Sequence, residues 1–261
     1  MNPRQFQIFS DFRDELRSYC SDLSRAYEDI LPPLQRAASK GDTPPYPVET
    51  PVVYNTALDE VTLESDIRLI VIGDNPGKDE QRLLNRKYLV GQSGKIAAGF
   101  FLRHPEFGVD FRRNAIILNK TPIHTAKTKH LRYLMRNGGS CVRSLVQESQ
   151  VFMAERTAAL HKGLLAAAGE GEDAPELWLV GYAELRERGI FTEYRKALIR
   201  SYEGDDEGWG KVFVFQHFSM NRFTIDLGDF MRRSGGGARI LEAARELGLS
   251  HKNDILVLHK E

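Results

Sequence analysis

The chain has 261 residues, of which 41% are hydrophobic and 28% charged, enough apolar content to bury one sizeable core. Lys plus Arg and Asp plus Glu both total 36, so no overall field draws the chain toward nucleic acid and any polyanion site must be a local patch. Cys20 and Cys141 are the only cysteines and lie outside any metal-ligand spacing, which argues against a disulfide framework, a structural zinc or an iron–sulfur cluster; no metal and no other cofactor is expected. The charged N-terminus has no apolar signal region, and no stretch approaches the roughly 20 apolar residues of a membrane span, so a cytoplasmic protein without membrane partners is expected.

Residues 5–38 place Phe6, Phe9, Phe12, Leu16, Leu23, Ala26 and Ile30 at near-helical spacing, predicting an amphipathic N-terminal helix that Pro32 and Pro33 interrupt. Residues 40–53 are rich in Pro and turn formers and read as a surface connector. Four short apolar runs follow: LIVIG (69–73), AIILN (115–119), LWLVG (177–181) and VFVFQ (212–216). Such runs suit strands buried on both faces of a parallel sheet. Helical patterns at 95–102, 144–168 and 182–202 are long enough to cross over between them. The fold class expected is therefore α/β, three layers α/β/α around a central, mainly parallel four-stranded sheet, with an N-terminal helix and a C-terminal helical extension. We read one domain with a core at about 61–223, flanked by 1–60 and 224–261, and expect a monomer. The glycine-rich stretch at 234–237 reads as a loop before a last helix at 238–247.

Polar residues follow three of the strands, and ligands in open α/β sheets bind beyond the carboxyl ends of the strands. The first cluster is GDNPGKDEQ (73–81), where Gly73, Asp74, Asn75, Pro76 and Gly77 turn from the strand toward a helix opened by Lys78, Asp79 and Glu80. It fits a capped turn or a rigidly held catalytic pair. The second is YLVGQSGK (88–95), in which Gly91, Ser93 and Gly94 precede an apolar helix, with Lys95 beside them and Ser93 a candidate cap. A phosphate-binding GxxxxGK motif would need Gly at Leu89, so triphosphate hydrolysis is disfavoured. The third places Asn119 at a strand tip followed by Lys120; an amide there can match the donor–acceptor edge of a base or serve in a turn. The fourth is HFSMNR (217–222), where His217 can stabilise developing negative charge and Ser219, Met220, Asn221 and Arg222 can meet a nucleic-acid backbone or stack.

In order and spacing these segments resemble the uracil-DNA glycosylase superfamily over about residues 67–222. GDNPG is similar to the GxNPG water-activating motif of its mismatch-specific and single-strand-selective branches. LVGQSG and LWLVGYAEL are similar to segments of its thermophile-type branch, and HFS is similar to HPS. The resemblance implies hydrolysis of the N-glycosidic bond of uracil or a related damaged base flipped out of DNA. It assigns Asn75 to water, His217 to the leaving base and Asp74 to the alternative activating role. Gly73, Pro76, Gly77, Tyr88, Leu89 and Asn119 would bind the base; Gly91, Ser93, Gly94, Lys95, Lys120, Ser219, Met220, Asn221 and Arg222 would meet DNA. The chain departs from the family at Phe218, which replaces Pro, and at Leu89, where the thermophile-type branch stacks a Phe; the four-cysteine cluster of that branch is absent. A binding protein of the same fold that does not cut the bond is the alternative reading. Further basic residues, Lys127, Lys129, His130, Arg132, Arg136, Arg143, Arg232 and Arg233, fit either a DNA-facing patch or a solvated surface.

Overall fold

The computed structural model of the chain describes residues 1–169, 174–234 and 239–256. Strands β1 (Leu69–Gly73), β2 (Ala115–Asn119), β3 (Glu176–Val180) and β4 (Val212–Phe215) form a wholly parallel sheet in the order β2-β1-β3-β4. The register pairs Gly73 with Asn119 and Val180 with Phe215, so the strands end nearly level. The chain leaves β1 toward one neighbour and later returns to its other side as β3, which puts a topological switch point between the two.

The strands are apolar along their length because both faces are covered. Ile70, Ile72, Leu118, Leu179 and Val214 join one core with Leu16 of α1 (Pro3–Ala26), Met153 of α5 (Gly139–Ala166) and Leu198 of α6 (Thr192–Ser201). Val71, Ile117, Trp178 and Phe215, the alternate set, join a second core with Phe100 of α3 (Gln92–Arg103), Leu227 of α8 (Arg222–Arg233) and Leu247 of α9 (Ile240–Ile255). Three α/β/α layers follow directly from this period-two partition. The segment after 223, expected as an extension, thus supplies part of one helical layer: Gly248 of α9 lies so close to Phe213 and Phe215 that a Cβ there would come within 2.7 Å of a ring.

The N-terminal pattern resolves into two helices. Asn2 caps α1, its side chain accepting from Gln5 N (2.9 Å) while Gln5 accepts from Asn2 N (2.9 Å). The prolines do not interrupt one helix; they sit in the first turn of α2 (Leu31–Ser39), where a missing amide proton costs nothing. Two other expectations change. No regular helix follows Gly77: residues 78–90 form successive turns before α3. The expected crossover helix at 182–202 is divided into a short 3-10 segment, Tyr182–Leu185, and α6, because Gly189 turns so tightly that a Cβ would lie 2.1 Å from Glu184 O. Between α2 and β1 a 3-10 turn spans Thr56–Glu60, and between β2 and α5 lies α4 (His130–Asn137), with α7 (Asp206–Gly210) before β4. Residues 235–238, including all three glycines of the expected loop and the expected start of the last helix, lie outside the described residues. No helix among the described residues is long and apolar enough to cross a membrane.

Candidate functional site

A cleft of about 480 Å³ opens at the carboxyl ends of the strands, where the switch point predicts one. Asp74, Asn75, Asn119 and His217, separated by up to 143 positions in sequence (217 minus 74), all line it. Gly77, Leu89, Gly91, Ser93 and Ser219 line it too.

The floor is a buried ion pair. Lys120 Nζ is wholly buried and donates to Asp74 Oδ1 (2.7 Å), Val180 O (2.5 Å) and Gly73 O (3.3 Å), so all three ammonium protons have acceptors. Burial depresses the Lys120 pKa while the Asp74 charge opposes that shift. Asp74 Oδ2 has Thr128 Oγ1 as its partner at 3.3 Å, and Asp74 itself faces the cleft. Space for its carboxylate comes from Gly181, at φ 98°, where a Cβ would lie 2.3 Å from Asp74 Oδ1. Gly73 does the same for Asn119: a Cβ at Gly73 would lie 2.4 Å from Asn119 Oδ1. Lys120 is therefore a correction to the expected DNA contacts, since a side chain held beneath the β1 and β3 tips cannot reach a phosphate.

Asn119 is 1% exposed, and its Nδ2 has no hydrogen-bond partner among the described residues. An orphaned buried amide is costly, about 1–3 kcal/mol, unless something enters to accept from it. Asn75 is differently engaged: its Nδ2 donates to Thr125 Oγ1 (2.9 Å) and lies within 3.4 Å of the carbonyls of Ile123 and Thr125. Its Oδ1 accepts no hydrogen bond among the described residues, and the residue lines the cleft. His217 Nδ1 accepts from Ser219 N (3.0 Å) and contacts Ser219 Oγ (2.8 Å), so the ring proton of the neutral form belongs on Nε2. Burial, with Lys120 adding, lowers the His217 pKa against the opposing pull of Asp74. A neutral imidazole presenting Nε2–H results.

One lip is shaped by Glu80. Its carboxylate accepts from Gly77 N (3.0 Å) and Leu89 N (2.9 Å), fastening the turn after β1 to the turn before α3. Burial pushes its pKa up to about 7, although these two donors pull it down. Leu89 is held at φ 51° with its carbonyl against α3, where a Cβ at Gly94 would come within 1.3 Å of Leu89 O. Pro76 is anchored from behind by His124, whose Nδ1 donates to Pro76 O (2.9 Å) while its Nε2 meets Tyr46 OH (2.9 Å). Sequence reasoning missed Glu80 and His124 as supports, and Thr125, Thr128 and Glu184 as lining residues; nothing local distinguishes them from ordinary loop polar groups.

Other expectations are corrected. Tyr88 is buried, with its hydroxyl donating to Val53 O (2.5 Å), and does not face the cleft. The lining residues include no Phe, Tyr or Trp, and Leu89 forms the wall. Gly91, not Ser93, occupies the cap position of α3, without a side-chain cap. Gly73 at the end of β1, Pro76 in the turn after it and Gly94 in α3 are not among the lining residues, and Lys95 is exposed outside the cleft. Phe218 is wholly buried against Phe111 and Phe223, so it belongs to the core beneath the loop. Beyond Ser219 the lip carries Met220 and Asn221, at φ 54° and 57°, and Arg222; all three are exposed, Met220 by 72%. Much of the basic patch is neutralised: Lys127, Lys129 and His130 converge on Asp42, Arg132 on Glu184 and Arg232 on Asp229.

Fold and cleft together define an α/β protein with a wholly parallel sheet and a polar cleft at its switch point. Compared with known proteins, the chain matches no family model, no curated protein and no solved structure.

Proposed function

We propose that the chain is a DNA glycosylase-like hydrolase that cuts the N-glycosidic bond of uracil or a related damaged base held in this cleft. The observation that carries the reading is the convergence of Asn75, Asn119 and His217 on one cleft, with the buried Asn119 Nδ2 left without an acceptor. The Asn119 amide then reads a base carbonyl, and mismatched bases are rejected because they leave buried groups unpaired. As the bond from base nitrogen to sugar carbon breaks, the electron pair stays on the base, and His217 Nε2–H donates to the carbonyl oxygen that gains charge. Asn75 Oδ1 orients a water whose oxygen bonds to the sugar carbon. Asp74, fixed by Lys120, supplies negative charge opposite the cationic sugar and takes the water proton at Oδ2.

The test is incubation of the protein with uracil-containing single- and double-stranded oligonucleotides, followed by alkali. Strand breaks at uracil are expected. The absence of aromatic side chains among the lining residues favours a second reading, a protein that binds a modified base without cutting it. Retention of the oligonucleotide with every strand intact after alkali would replace the first reading by the second.

A further inference from the structure

A groove of about 960 Å³ lies on the other side of the segment 182–190 from the cleft. Glu184 of that segment lines the cleft, whereas Arg186, Glu187 and Arg188 line the groove. Arg132 fixes the segment between them, donating to Glu184 Oε2 (3.1 Å) and to Arg188 O (2.9 Å). The opposite wall is α6, which contributes Arg195, Lys196 and Arg200, and Asp254 closes the end. Five cations therefore meet two acids in a chain whose total charge is zero.

The free cations matter most. Arg195 donates to Leu185 O (3.2 Å), Lys196 pairs with Glu193 (3.0 Å), and Arg186 reaches Tyr182 OH (2.6 Å) and Asp254 (3.6 Å). Arg188 and Arg200 are exposed, and their guanidinium groups have no hydrogen-bond or ion-pair partner among the described residues. This contrasts with the basic residues near the cleft, which Asp42 and Glu184 occupy. A guanidinium offers a planar fork suited to phosphate oxygens, and confinement of like charges in a concave surface raises the local potential.

We propose that this groove binds the phosphodiester backbone of a single nucleic-acid strand, beyond the nucleotides that adjoin the one in the cleft, with Arg188 and Arg200 as the phosphate ligands. The assignment rests on the nucleic-acid reading of the cleft but not on hydrolysis.

The experiment measures binding of a fluorescent, uracil-free single strand to the full chain and to an Arg188→Ala/Arg200→Ala variant across a salt series. Excision from a trinucleotide with uracil at its centre, which carries only the nucleotides adjoining the cleft, is followed in parallel. The variant is expected to bind the long strand about tenfold more weakly, with a salt slope smaller by about 1.4 for two lost phosphate contacts, and to process the trinucleotide as the parent does. Equal affinity and slope for parent and variant, or failure of the parent to bind the strand, overturns the groove. Inorganic tripolyphosphate competing as tightly as the strand through the same two arginines would make it a compact polyphosphate site and overturn the strand assignment. Arginine-dependent binding without any excision upholds the groove and removes hydrolysis; excision by the parent with arginine-independent binding does the reverse.

Discussion

Replacing Lys120 by Met keeps most of the length of the side chain and deletes the charge beneath the cleft. In the parent chain the ammonium is 0% exposed and has three acceptors, while the Asp74 side chain is 10% exposed. Removing one partner of such a pair leaves an uncompensated carboxylate and takes a donor from Val180 O and from Gly73 O, which keeps the Lys120 backbone N–H (3.0 Å), a loss of about 3–5 kcal/mol. For a chain of this size each kcal/mol lowers Tm by about 2–4 °C, so a drop on the order of 6–20 °C is expected. Asp74→Asn strands the ammonium instead and should cost a similar amount. The double variant carries no unpaired charge and should recover most of the loss, giving a coupling energy of about 2 kcal/mol or more. Urea titrations followed by tryptophan fluorescence, combined with thermal melts, complete this cycle. Single variants that each lose less than about 1 kcal/mol and add independently would refute the buried pair as the organising unit of the floor.

Asn119→Ala is expected to reduce uracil excision at least about 100-fold while leaving the unfolding free energy unchanged or raised, because it removes a buried amide that has no partner; a loss of stability parallel to activity would show a structural role. His217 acts as a neutral donor with a depressed pKa, so it takes up its proton only below the ordinary value of 6.5. The excision rate should consequently stay level as pH falls through 6.5, and His217→Ala should lose about 10²–10³ in rate; a rate rising with protonation near 6.5 would exclude the neutral form. For Glu80 the folded pKa of about 7 lies above the ordinary 4.5, so the unfolded chain releases this proton first and stability falls as pH rises from about 4.5 to about 7. The difference in urea midpoint between the parent and Glu80→Gln, measured at both ends of that window, should therefore change with pH; a constant difference would contradict the burial of the carboxyl. Gly181→Ala demands φ 98° of a residue with a Cβ and thrusts that atom at Asp74 Oδ1, so it should cost about 2 kcal/mol or more and disturb excision together with stability, as calorimetry and the oligonucleotide assay can check.

The strands and their order along the chain were legible because a strand buried on both faces must be apolar throughout, and few other elements of five residues need be. The positions of Asn75, Asn119 and His217 followed from the same logic, since a strand tip is where a buried run meets solvent. His217 and Ser219 could also be linked locally, their two-residue spacing suiting a side chain to backbone contact. Lys120 shows where sequence stops. A lysine after a strand looks alike whether it reaches solvent or folds back under β1 and β3, and only the strand order, which puts Val180 O and Asp74 beside it, decides. Tyr88 and Glu80 are similar cases: one enters the core and the other bridges two turns because the path of residues 78–90 is set by packing against α3 and the connector. The groove cations Arg186, Arg188, Arg195 and Arg200 are scattered through a charged segment, and their convergence depends on how α6 lies against the turn before it. Sequence thus determined which residues must be buried and where the chain emerges from the sheet; tertiary structure decided which polar groups meet there, because electrostatic and hydrogen-bond partners are chosen by distance in space.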